Sequence, residues 1–137
     1  MADNRPQSGN TSNGIPEALE TRWLQEGGIT KETIKWSEDM GKFLVDEGLT
    51  TSSFRKFFGE MRRIQNLNDF RKKEDILLLK AKLAYDAARK GDQGMKSFYD
   101  KLENALDACG EQPERFDRFV KIVEAVVAFH KFKGGRD

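Results

Sequence analysis

The chain has 137 residues, 34% charged and 37% hydrophobic, with a formal net charge of +1, which suits one helix-rich domain with a single core. Its one cysteine, Cys109, excludes an internal disulfide and fits a reducing cytoplasm; with the one histidine it falls short of a zinc site of the usual nitrogen and sulfur ligands. No stretch approaches the roughly 18 to 20 apolar residues of a membrane span, and the polar start MADNRPQSGNTSNG is unlike a signal peptide, so a cytoplasmic protein with no membrane partner is expected.

Residues 1–14 are rich in Asn, Gly and Ser and carry no apolar periodicity. They cannot bury enough surface to offset the entropy of ordering, so a disordered leader over 1–14 and a helical bundle domain over 15–137 are expected. Pro16 suits the first turn of a short helix carrying Leu19 and Trp23, closed by Gly27 and Gly28. Thr30 is a candidate N-cap for the next helix, in which Trp36, Met40, Phe43 and Leu44 form the apolar stripe and Gly48 the stop.

Thr50 then caps a helix of uneven charge. Between Phe54 and Lys82 stand nine basic residues (Arg55, Lys56, Arg62, Arg63, Arg71, Lys72, Lys73, Lys80, Lys82) against four acidic ones (Glu60, Asp69, Glu74, Asp75), a local net of +5. A near-neutral protein that gathers its positive charge in one place suits a polyanion such as RNA. At 100° per residue Phe54, Phe57, Phe58, Met61 and Ile64 share one face. Arg62, Arg55, Asn66, Gly59, Arg63 and Lys56 span an opposite arc of about 120° without a carboxylate. Gly59 at the centre of that arc either lets a phosphate approach the backbone or packs against a neighbouring helix. The bland alternative for the whole arc is the solvated side of an amphipathic helix, although such faces usually mix signs.

A loop near Asn66 to Asp69 leads to a third main helix reaching about Lys90 and burying Ile76, Leu79, Leu83 and Ala87. Lys80 falls on that buried face, so it must snorkel, pair with an acid or reach a partner. A fourth helix from about Gly94 aligns Phe98, Leu102, Ala105, Leu106 and Cys109. Pro113 opens the last helix, whose face of Phe116, Phe119, Val120, Val123, Val126 and Val127 is too wide for a surface helix. That helix is either central or half covered by another protein, and His130 on the same stripe reads as a packed or interface residue rather than a base. No period-two run bounded by turn residues appears. The fold class expected is all-α, a single bundle of about five helices.

Nothing in the chain assembles catalysis. GxxxxGK[ST] and GxGxxG are both absent, and sequence neighbours such as Glu74 and Asp75 diverge on a helix surface. The expectation is no enzyme, no cofactor and no metal.

Three segments, TTSSFRKFFGE (50–60), ILLLKAKLAYDAAR (76–89) and FDRFVKIVEAVVAFHKFKGGRD (116–137), together resemble the small helical subunit of type III-A, Csm-type CRISPR effector complexes. The resemblance implies a non-catalytic subunit that stacks in several copies and touches the backbone of guide RNA and target RNA without reading bases. Its other partners would be the repeated backbone subunit, to which target cleavage is attributed, and the large polymerase-like subunit. Mapped by motif, Arg55, Lys56, Arg62 and Arg63 are the RNA-binding candidates, with Lys80 a weaker one. The chain departs from the family pattern where a proline is expected at Ala81 and a glycine near Ala88, so a kink in the third helix does not carry over. From the residues alone two other classes stand open. One is a helical DNA-binding regulator with Gly48 as the turn glycine, although Ser52 and Ser53 are short for reading base edges; the other is a protein-binding adaptor.

Overall fold

The computed structural model describes residues 11–12, 15–89 and 93–136. Five helices dominate these: α1 (Lys31–Asp46), α2 (Thr51–Gln65), α3 (Asp69–Arg89), α4 (Gln93–Cys109) and α5 (Pro113–Phe132). The fold is the expected all-α bundle. Two strands of two residues each, β1 (Thr11–Ser12) and β2 (Ile15–Pro16), pair antiparallel ahead of it. The leader expected to be disordered lies outside the described residues except for Thr11 and Ser12.

The first short helix needs correction. Pro16 lies in β2, and only a 3-10 turn over Thr21–Leu24 precedes α1. Tertiary hydrogen bonds take the backbone groups that a helix would have used. The Trp36 indole N–H donates to the Glu17 carbonyl at 2.8 Å, and the Leu19 N–H donates to the Lys101 carbonyl of α4 at 2.9 Å. The segment is thus pinned extended, and Leu19, Trp23 and Leu24 still reach the core.

The remaining helix boundaries follow local chemistry. Thr30 and Thr33 form a capping box at the start of α1, the Thr50 hydroxyl accepts the Ser53 N–H at 3.1 Å at the start of α2, and Pro113 opens α5. Each such cap contributes about 1 kcal/mol. Gly48 ends α1 at a φ of +85°, a conformation that a side chain would strain. α3 runs unbroken through Ala81 and Ala88.

α5 is the central helix. It packs against α1, α2, α3 and α4, and Phe116, Phe119, Ile122, Val123 and Val126 are all buried. Its wide apolar face is therefore used within the chain. α1 comes closest because Gly41 has no side chain: a Cβ there would lie 2.7 Å from the His130 backbone nitrogen. His130 itself is 1% exposed. Its Nε2–H donates to the Leu49 carbonyl at 2.7 Å, and its ring stands edge-on to Phe54 at 5.2 Å, so it is a packed residue that ties α5 to the α1–α2 turn.

Candidate nucleic-acid interface

The core fixes how α2 is turned. Phe54, Phe57, Met61 and Ile64 are buried, with the Phe54 and Phe57 rings edge-on to Phe98 of α4 at 5.0 and 5.6 Å. Anchored so, α2 presents Arg55, Lys56, Gly59, Arg62, Arg63 and Asn66 to solvent. A Cβ built at Gly59 would meet nothing within 4 Å, so this glycine is not a helix-packing contact. It leaves bare backbone at the middle of the arc.

The five candidate residues are not equivalent. Arg55 and Lys56 are exposed and make no ion pair among the described residues. Arg62 lies over the half-buried Phe58 ring, with its guanidinium carbon 5.8 Å from the centroid, a cation–π contact that orients the group while leaving its N–H donors available.

Arg63 is held by two carboxylates that share its Nη2, Glu60 at 2.6 Å and Asp75 of α3 at 3.1 Å. Its pKa is raised, chiefly by the hydrogen bond to Glu60 and then by Asp75. Glu60 in turn is held below the usual carboxylate range, first by its hydrogen bond to Arg63 and further by Lys82, which stands 3.1 Å away. These four side chains sum to zero charge.

Lys80 sits on the other side of α3. Its Nζ lies 2.9 and 3.1 Å from the two carboxylate oxygens of Asp107 and 3.6 Å from Glu103, both on α4. The hydrogen bond to Asp107 raises its pKa against the opposing effect of desolvation. Of the three options open to this lysine, pairing with an acid is the one adopted. Because Lys82 reaches α2 while Lys80 reaches α4, Lys80 lies away from the α2 arc.

The positive charge between Phe54 and Lys82 is thus sorted by pairing. Arg63, Lys72, Lys80 and Lys82 have carboxylate partners, whereas Arg55, Lys56, Arg62, Arg71 and Lys73 have none among the described residues. One further cation, absent from the sequence candidates, has its backbone beside the first turn of α2. The Thr51 N–H donates to the Arg136 carbonyl at 2.6 Å, which sets exposed Arg136 against the first turn of α2. No spacing rule links the C-terminal segment to residue 51, so the sequence carries no signal for it.

Among the described residues no group of three or more His, Cys, Asp or Glu could hold a metal ion, and no helix is long and apolar enough to cross a membrane. A surface of unpaired guanidinium and ammonium groups around open backbone is suited to binding anions.

A family model described as Csm2 Type III-A matches residues 29–136. The chain belongs to that family, the small subunit of type III-A CRISPR complexes. No curated protein and no solved structure gives a significant match.

Proposed function

We propose that this member of the Csm2 type III-A family is a non-catalytic cytoplasmic subunit that lays the exposed arc of α2 along the RNA backbone of its effector complex. Several copies stack beside the repeated backbone subunit and the large polymerase-like subunit, each touching guide or target RNA through phosphates. The observation that carries this reading is the arc itself: Arg55, Lys56 and Arg62 exposed around Gly59, with no carboxylate ion-paired to them among the described residues. Phosphate contacts carry no sequence information, as a subunit serving any guide requires. Arg63 adds less, because Glu60 and Asp75 already occupy its Nε and Nη2 donors. Lys80 acts mainly as a tie between α3 and α4.

The test is the affinity of the assembled complex for target RNA across a salt series, with wild-type subunit or with Arg55, Lys56 and Arg62 all changed to Ala. Each phosphate that is no longer neutralised should flatten the plot of log affinity against log salt by about 0.7 to 0.9, or about 2 to 3 for each copy that touches the RNA, for every RNA sequence alike. An unchanged slope with assembly intact would mean that the arc faces solvent or protein.

A further inference from the structure

The segment ahead of α1 sits in a groove that the helices build. Apart from the turn at Thr21–Leu24, residues 15–28 form no helix, and they pack against α1, α4 and α5. Pro16, Leu19, Trp23 and Leu24 are buried, while Glu17, Thr21 and Arg22 between them are exposed. The Trp23 ring stands edge-on to Trp36 of α1 at 5.7 Å.

The bundle grips this segment by its main chain. From α1, the Trp36 indole N–H donates to the Glu17 carbonyl at 2.8 Å and the Thr33 hydroxyl to the Gly28 carbonyl at 3.3 Å. From α5, the Arg118 Nη1–H donates to the Leu24 carbonyl at 3.1 Å. The Lys101 carbonyl of α4 accepts the Leu19 N–H at 2.9 Å. All four bundle residues lie within 29–136, the region that the family model matches, and the segment lies ahead of it. Main-chain hydrogen bonds combined with pockets for spaced side chains are a means of binding extended peptides. The groove has that chemistry: it takes an aliphatic, an aromatic and an aliphatic side chain at i, i+4 and i+5, here Leu19, Trp23 and Leu24, and reads only backbone elsewhere.

Two features make the segment separable from the bundle. The Trp23 indole N–H is buried without a hydrogen-bond partner, a cost that exposure to water removes. Gly27 is exposed at a φ of +73°, and a Cβ there would meet nothing within 4 Å, which leaves an open hinge at the junction with α1. α1 does not depend on the segment for its start, because Thr30 and Thr33 cap it. The one side-chain ion pair across the junction, Arg22 with Glu32 at 2.8 Å, is exposed and adds little.

We propose that residues 15–28 are a detachable strap, an intramolecular ligand seated in a peptide-binding groove between α1, α4 and α5, and that the groove accepts the same segment supplied free. Tethering gives the attached strap a high effective concentration, so a free segment competes only where the strap is weakened or released. The proposal involves no RNA contact and stands or falls independently of the RNA reading.

Hydrogen exchange of the wild-type full chain tests the release. The Leu19 amide should exchange about tenfold faster than that of buried Val123 in α5, because a strap opens without global unfolding. A fluorescent peptide of residues 15–28 tests the groove. It should bind the full-length Leu19→Asp variant, whose own strap has lost an anchor, about tenfold more tightly than it binds wild type. It should also raise the thermal midpoint of that variant, and the same peptide carrying Trp23→Ala should do neither. Leu19 and Val123 amides that exchange in step, or a peptide bound alike by wild type and Leu19→Asp, would overturn the strap. Binding indifferent to Trp23→Ala would overturn the groove. Should Leu19→Asp fail to fold, exchange of the wild-type chain still decides the matter.

Discussion

Arg63 of α2 and Asp75 of α3 are joined across the helix–helix junction at 3.1 Å, with Glu60 on the same guanidinium nitrogen at 2.6 Å. An arginine that on sequence belongs to the RNA-facing arc is thereby a strut between two helices. Arg63→Ala should therefore lower the thermal midpoint, whereas Arg55→Ala and Lys56→Ala, which remove exposed unpaired charges, should leave it within error. Thermal unfolding of the three single variants at low salt checks the ranking. Equal midpoints for all three would mean that the strut contributes nothing measurable, as many exposed pairs do.

The same cluster sets a pH dependence. Glu60 is held below its ordinary carboxylate value by Arg63 first and Lys82 second, so its native state releases a proton that the unfolded chain binds more readily. A depressed carboxylate contributes stability that is present above the unfolded value, about 4.3, and is lost as pH falls through the lower folded value. Stability measured by urea unfolding should thus decline below about pH 4, and Glu60→Gln should flatten that decline while lowering stability at pH 7. If wild type and variant decline in parallel, Glu60 is not the group responsible.

Most of the fold was legible in the sequence because it rests on local chemistry. The Thr50 cap, the Gly48 stop, the Pro113 start and the helical stripes all depend on residues within a turn or two of one another, and all stand where the spacing put them. The segment around Pro16 was not legible, because the bonds that hold it extended come from Lys101 and Trp36. The orientation of the α2 arc was equally local, whereas its pairing was not. Arg63 meets Asp75 and Lys80 meets Asp107 only once α3 has packed against α2 and α4. A count of charges along the chain therefore overstated how many cations stand free.

His130 carries weight out of proportion to its polarity. It fills buried space between Phe54 and Leu49 and supplies the donor for the Leu49 carbonyl at 2.7 Å. His130→Ala should cost about 2 to 4 kcal/mol through poorer packing and an unpaired carbonyl. His130→Phe keeps the ring and should cost about 1 to 3 kcal/mol. Urea unfolding of both variants checks the order, and a cost below about 1 kcal/mol for the alanine variant would contradict a packed role.

Cys109 should be chemically silent in the native state. Burial pushes its thiol up to about 12, and the thiolate is the reactive form. An aromatic disulfide reagent at neutral pH should modify it only as the protein unfolds, at a rate that rises with urea in step with the loss of helix signal. Fast labelling in native buffer would show that the α4–α5 junction opens locally.

Gly59 offers a way to separate fold from function at one position. Its φ is not left-handed and a Cβ would meet nothing within 4 Å, so Gly59→Ala removes a flexible residue from the middle of α2 at no steric cost. The fold should gain about 0.5 to 1 kcal/mol. If phosphates approach this bare stretch of backbone between Arg55 and Arg62, the added methyl group holds them off, and the assembled complex should bind target RNA more weakly although its subunit is more stable. Stability and affinity then move in opposite directions, which a surface uninvolved in binding cannot produce. Urea unfolding of the free variant and RNA titration of the complex that contains it give the two readings. A more stable variant with undiminished RNA affinity would leave Arg55, Lys56 and Arg62 as candidates, yet would remove close backbone approach from the account of how they bind.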